Sequence, residues 1–227
     1  MIKKLIHNRE KIFLYFLFIL YAVSTFVIAS YHECWEDEVQ AWFIARDLDV
    51  IGVIKQMKYE GHSCLWHLII MPLAKLGLPL ESIKIVSWAF CVATAYLILM
   101  KAPFGKIIKI LFCFSPGMLY FFPAISRCYC LIPFLISIIC TLYKDKEKHP
   151  YIYATTIALL VNTHVLMAFF AMILGIDFWG EKLILKRKEL TKEEKTKLWK
   201  SALIAVVRWN NTGFTGTSRY EKLCISG

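Results

Sequence analysis

Charge is scarce in this chain, and ordered charge scarcer still. Only 19% of the 227 residues are charged, against 58% hydrophobic and 15% aromatic. That balance excludes an ordinary soluble domain. Segments of alternating polar and apolar residues are too few for a closed β-barrel, so membrane crossings have to be helical. There is no CxxC pair and no metal-ligand spacing among the eight cysteines at 34, 64, 91, 113, 128, 130, 140 and 224. Cys91, Cys113 and Cys140 lie in apolar runs as small hydrophobes. Cys34 and Cys64 flank one polar loop; pairing in an oxidising compartment is open to them but is not the state expected, because sequence does not give the geometry. Internal repeats and low-complexity linkers are missing too. The formal charge is +10, yet no basic face interleaved with stacking aromatics is present, so nucleic acid is excluded as a partner.

What is present is a series of long apolar runs separated by short lysine clusters, the positive-inside pattern of a membrane protein. The fold class expected is all-α: a polytopic transmembrane helical bundle with an amphipathic loop helix at the outer face. The basic start MIKKLIHNREK leads into Ile12–Ser30 without a clear cleavage site, so this run is expected to be a retained first span with its N-terminus in the cytoplasm. Residues 31–80 then form an outer loop with interfacial helices. Counting 65–80 as a crossing would put Lys101, Lys106 and Lys109 outside, so it is placed in the interface, and 83–100 becomes the second span. Spans at 107–123 and 131–143 follow, with the charged 144–149 inside. The stretch 151–180 is broken at Asn162-Thr163-His164 into two short helices, 151–162 and 164–180, meeting at the outer face. Together, residues 1–180 form the transmembrane module, 181–200 a basic cytoplasmic loop, and 201–227 an interrupted span with an atypical polar tail resembling a truncated chain. Asn210-Asn211-Thr212 matches a glycosylation sequon.

The chemistry is expected in the loop from Tyr31 to His67. Glu36-Asp37-Glu38 opens an amphipathic helix, Asp37 to Leu48, with Val39, Trp42 and Phe43 on its apolar face. Acids in a first turn favour the helix dipole whatever else they do. One of them is also suited to be a general base at the membrane surface, or a ligand for a divalent cation. His62 and His67, five residues apart, do not share a helix face, which weakens a zinc site. They suit phosphate or sugar hydroxyls, or an aromatic belt with wet imidazoles. Arg127, beside Tyr129, lies where the charge rule disfavours cations, and a phosphate contact gives it a reason. Asn162 and His164 are polar groups in an apolar stretch, and the topology brings them to the same face.

The acidic pair Asp37-Glu38 after a first span, the GHSCLWH entry to an interfacial helix, and Arg127-Cys128-Tyr129 after a later span together resemble the GT-C class of polytopic glycosyltransferases. The closer likeness is to the protein mannosyltransferase and lipid-A sugar transferase branch, glycosyltransferase family 39. Ser63-Cys64 departs from that branch, which usually carries prolines after the loop histidine. The resemblance implies a polyprenyl-phosphate-linked sugar donor in the membrane lipid, a glycan, lipid or protein acceptor, and inverting transfer at the outer face of the cytoplasmic membrane. Asp37, with Glu38, is implied as catalytic. Arg127, His62, His67, Tyr129, Asn162 and His164 are the donor-phosphate or sugar ligands expected. No cofactor is required, and a divalent cation stays open. A non-catalytic transporter or lipid-binding subunit using the same outer cavity is the alternative.

Overall fold

The computed structural model describes the backbone of residues 2–60, 63–185 and 191–210. The described residues are 82% helical, with no strand among them. Among the described residues, three helices are long and apolar enough to cross a membrane, Asn8–Tyr31, Ser82–Lys101 and Cys128–Asp145. A bent pair, Lys106–Cys113 and Gly117–Ala124, makes a fourth if its two halves are one span. The chain is therefore a membrane protein by length and composition of its helices. Its outer surface agrees: Ile12, Phe16, Ile19 and Val23 on the first helix, Ile107 and Leu111, and Phe169, Ile173 and Ile176 are all more than half exposed.

The elements are α1 (Ile2–Tyr31), α2 (Glu36–Asp47), α3 (Val50–Glu60), α4 (Leu65–Lys75), α5 (Ser82–Tyr96), α6 (Lys106–Cys113), α7 (Phe122–Ala124), α8 (Leu131–Leu142), α9 (Pro150–Val161), α10 (Leu166–Gly175) and α11 (Lys192–Asn210). Wider, π-type turns extend α5 through Leu97–Lys101, precede α7 at Gly117–Phe121 and extend α10 through Ile176–Leu185. Local chemistry explains many of the boundaries. Asp49 caps α3, its carboxylate accepting the Gly52 N–H at 2.7 Å. Gly77, at φ 76°, terminates α4, with Gly77 N–H bonded to Ala74 and Leu78 N–H to Leu73. That is a Schellman end, which needs a left-handed residue and so favours glycine. Pro116 begins the second half of the bent pair, and Ser115 bonds the carbonyl of Phe112 at 2.8 Å; the chain turns by 47° there. Pro150 stands in the first turn of α9, where its missing N–H costs nothing.

Contacts between helix termini define two ends of the molecule. At one, Lys84 in the first turn of α5 donates to the His32 carbonyl just beyond α1, at 2.5 Å. The bent pair begins at the other end, where Lys106 pairs with Glu10 of α1, and finishes at Ser126, whose N–H bonds Glu38 of α2. It thus runs the length of α1. α9 finishes at Asn162, which meets Ser63 before α4. α10 leads back to Asp177, which pairs with Lys146 after α8. α2 packs along α4, and Lys75 of α4 bonds the Arg46 carbonyl of α2 at 2.7 Å. Both ends of α4 therefore stay at the end where α1 finishes.

Two expectations are corrected. The inward face of α2 is Glu38, Ala41, Trp42 and Ala45, so of the apolar trio Val39, Trp42 and Phe43 only Trp42 is buried; Phe43 is exposed, with the Arg46 guanidinium 4.5 Å above its ring. The cause is Glu38, drawn inside by backbone donors. Residues 192–200 belong to a helix rather than a loop. Thr191 and Glu194 form a capping box, with Thr191 N–H to the Glu194 carboxylate at 2.9 Å and Glu194 N–H to the Thr191 hydroxyl at 3.3 Å, and Glu193 pairs with Lys197 at 2.7 Å. This helix packs on α9 through Leu198 and Ser201, and Ser201 accepts the Trp179 indole N–H at 2.9 Å. Cys34 and Cys64 are free thiols, as expected of them. Asn211, Thr212 and the rest of the expected tail lie outside the described residues.

Candidate functional site

The site is built around the first turn of α2. Trp35, in extended backbone at φ −76° and ψ 161°, caps the helix. Glu36, Asp37 and Glu38 follow in the turn whose unpaired N–H groups favour negative charge. Successive helical residues point about 100° apart, so the adjacent acids take opposite fates. Glu38 is fully buried, while the Asp37 side chain is 56% exposed.

Burying a carboxylate is costly unless its oxygens are hydrogen-bonded. Glu38 meets that condition with three donors. One oxygen accepts the Trp35 N–H at 2.6 Å and the His32 Nε2 at 2.9 Å, and the other accepts the Ser126 N–H. The Trp35 contact is half of a capping box; tryptophan has no side-chain acceptor to complete it. Glu38 thus ties the end of α1, the start of α2 and the turn after α7 at one point. Cys34, in the same loop, has its thiol pushed up, first by burial and next by the negative Glu38.

The turn after α7 runs through Ser126 and Arg127. Arg127 is extended, at φ −128° and ψ 178°. Extended geometry sends the Ser126 N–H inward to Glu38 and the Arg127 side chain the other way, where its guanidinium pairs with the Asp37 carboxylate. Two neighbouring residues on one segment therefore bond two neighbouring residues on the other. The Arg127 side chain is only 19% exposed, and its Cζ lies 5.7 Å from the centre of the Tyr129 ring. The Tyr129 ring is in turn 6.0 Å from His164, whose Nδ1 accepts the Leu166 N–H at 3.3 Å. Asn162 donates to the Ala158 carbonyl at 2.8 Å, and its Oδ1 accepts the Ser63 hydroxyl at 3.2 Å.

Between these parts is a cavity of about 30 Å³, room for about one or two water molecules. α2 supplies Asp37, Gln40, Ala41 and Ile44; α4 and its approach supply Ser63, Trp66 and His67; the turn supplies Arg127 and Cys128. Of the residues the sequence singled out, Asp37, His67 and Arg127 line this cavity. Tyr129 and His164 continue from Arg127 as a row of rings, and Asn162 reaches the rim through Ser63. Glu38 stands one residue away, buried behind the cavity. His62 lies outside the described residues. Among the described residues, no group of three His, Cys, Asp or Glu side chains is arranged to hold a metal ion.

Sequence reasoning missed four contributors: His32, Ser63, Trp66 and Ser126. Trp66 had a signal, its place in the GHSCLWH stretch before a helix. Ser63 and Ser126 act through contacts distant in sequence, with Asn162 and Glu38, that no periodicity marks. Comparison with family models, with curated proteins and with solved structures finds no match.

The chemistry open to this arrangement follows from the Asp37–Arg127 pair. A carboxylate on a half-exposed face, held by a guanidinium beside a cavity, is neutral as a pair. An entering anion with two oxygens, such as a phosphate, competes for the same fork of N–H donors. Displacement then leaves Asp37 beside the ligand as a free base.

Proposed function

We propose that this chain is a membrane glycosyltransferase, or the N-terminal part of one. It takes a sugar from a polyprenyl-phosphate donor and passes it to a hydroxyl acceptor at the outer face of the cytoplasmic membrane. The chain crosses several times, with its N-terminus in the cytoplasm, and the end carrying Asp37 and Arg127 faces outward. The observation carrying the reading is the Asp37–Arg127 pair on the wall of a cavity at one end of an apolar helical protein.

In this mechanism the donor phosphate takes Arg127 from Asp37. The freed Asp37 carboxylate accepts the proton of the acceptor hydroxyl. The acceptor oxygen bonds to the anomeric carbon from the face opposite the phosphate, the carbon–oxygen bond to phosphate breaks with its electron pair going to the leaving oxygen, and the sugar inverts. Arg127 stabilises the charge that grows on that oxygen. His67 at the cavity wall contacts sugar or phosphate, and Tyr129, His164 and Asn162, beyond Arg127 and Ser63, extend that contact once the cavity widens. His62 belongs to the same proposal through the sequence alone.

The test is transfer from a polyprenyl-phosphate hexose by the intact chain in proteoliposomes. Asp37→Asn keeps the shape and removes the base, and is expected to lower the rate by a factor of about 10² to 10⁴. Undiminished transfer removes Asp37 from the mechanism. The second reading, a non-catalytic lipid-binding or transport protein, is favoured by the small volume of the cavity, which has to widen before a sugar enters. Tight binding of the donor with no turnover would select that reading.

A further inference from the structure

Resting on the glycosyltransferase reading, we propose that Trp66 is a phosphate-binding residue, its indole N–H donating to an oxygen of the lipid-linked phosphate opposite Arg127. Trp66 is 3% exposed, on the wall that α4 contributes to the Asp37–Arg127 cavity. Its Nε1 is buried and has no hydrogen-bond acceptor among the described residues.

A buried N–H without an acceptor costs a folded protein stability, and most are satisfied. Phenylalanine at 66 would keep nearly all the apolar contact and avoid that cost. We take the indole's acceptor to be one that arrives in the cavity from outside the described residues. The cavity has space for a water-sized group. Its walls select which acceptor fits. Arg127 is cationic and has a side chain only 19% exposed, and Asp37 neutralises it from the exposed side. A neutral oxygen would leave the Asp37–Arg127 pair intact, whereas an anionic one exchanges with Asp37 and gains both Arg127 and the indole. The class of ligand is therefore a phosphate ester. A ring N–H and a guanidinium from different walls also fix the direction of the phosphate, which a single arginine does not.

The probe is farnesyl phosphate, with farnesol as the control lacking phosphate, titrated onto the intact detergent-solubilised chain. Trp66→Phe is expected to weaken farnesyl phosphate binding roughly tenfold to a hundredfold, to leave farnesol binding unchanged, and to leave the thermal midpoint equal or higher, because an unsatisfied donor has gone. A second variant carries 3-benzothienylalanine at 66, which keeps the bicyclic ring and removes only the N–H, and is expected to match the phenylalanine variant. Farnesyl phosphate affinity within twofold of the wild type in either variant overturns the inference, as does an equal loss of farnesol and farnesyl phosphate. Arg127→Gln separates the two readings. If it abolishes farnesyl phosphate binding while Trp66→Phe does nothing, the indole role fails and the site stands. If neither variant matters, both fail.

Discussion

The two ends of the molecule are both rich in ionisable groups but use them differently. At the end where α1 begins, the pairs are lysines with carboxylates, three of them at the rim, Lys106 with Glu10, Lys148 with Asp145, and Lys182 with Glu147 at 2.8 Å, and a fourth, Lys146 with Asp177, set further in. Most of these side chains are about half exposed or more, and each pair joins two flexible groups through one contact. At the other end, one carboxylate is fully buried and accepts two backbone N–H groups and an imidazole, while its neighbour meets an arginine. Exposed lysine pairs contribute about 0–1 kcal/mol and fade with salt. A buried carboxylate with fixed donors is a different object, because removing it strands every group it bonded. The first end is a solvated rim; the second fixes positions.

The largest effect expected from breaking this contrast is at Glu38. Glu38→Ala leaves the Trp35 and Ser126 N–H groups and His32 without their acceptor, and should cost about 3–5 kcal/mol. The thermal midpoint and folded yield of the chain in detergent measure this directly. Glu38→Gln keeps the shape and one acceptor, and should fall between Ala and the wild type. A loss below about 1 kcal/mol for Glu38→Ala, the range of a rim pair, would erase the difference between the ends.

A smaller effect tests whether the polar ring around the cavity extends to α9. Asn162→Ala removes both the contact with Ser63 and the one with the Ala158 carbonyl, and should cost about 1–2 kcal/mol. Ser63→Ala removes only the first. In a double-mutant cycle the coupling should be about 0.5–1.5 kcal/mol; additive losses would detach α9 from the site.

Thiol chemistry sharpens the comparison by pH. Burial first, and the negative charge of Glu38 second, raise the Cys34 thiol, and burial raises Cys64. Because the thiolate is the reactive form, both should label more slowly at neutral pH than an ordinary cysteine, whose pKa is about 8.5. The rate should keep climbing above pH 9. A rate that levels off near pH 8.5 would show these thiols to be solvated. Cys128, 6% exposed, should stay unlabelled by an impermeant reagent.

The contrast between the ends also marks what the sequence can carry. Apolar runs give spans directly, because a helix in lipid needs only length and hydropathy; Ile12–Ser30 and Ile83–Met100 fall within observed helices. The break at Asn162-Thr163-His164 was equally visible, as polar residues in an apolar stretch. The facing of α2 was not. Periodicity chose Val39 and Phe43 by hydrophobicity, whereas the helix turns on Glu38, held by a backbone N–H 88 residues away. No pattern local to the sequence encodes that partner. Thr191-Lys192-Glu193-Glu194 is the opposite case, a capping box whose donors and acceptors all lie within four residues of sequence.

The smallest expected effect is the most direct test of the rim. Lys106 and Glu10 join the bent α6–α7 pair to the start of α1, with side chains 53% and 41% exposed. A cycle of Lys106→Gln and Glu10→Gln should return a coupling of about 0.2–1 kcal/mol at low salt, shrinking further at 0.5 M. The packing of α1 on α7 and the wider turn before it, where the Tyr21 hydroxyl donates to the Met118 carbonyl at 2.8 Å, does not depend on that pair. Loss of both charges should therefore leave the Glu38 end intact, seen as unchanged pH dependence of Cys34 labelling. If neutralising this rim pair altered that labelling, the two ends would be mechanically coupled along α1 and could not be treated as separate devices.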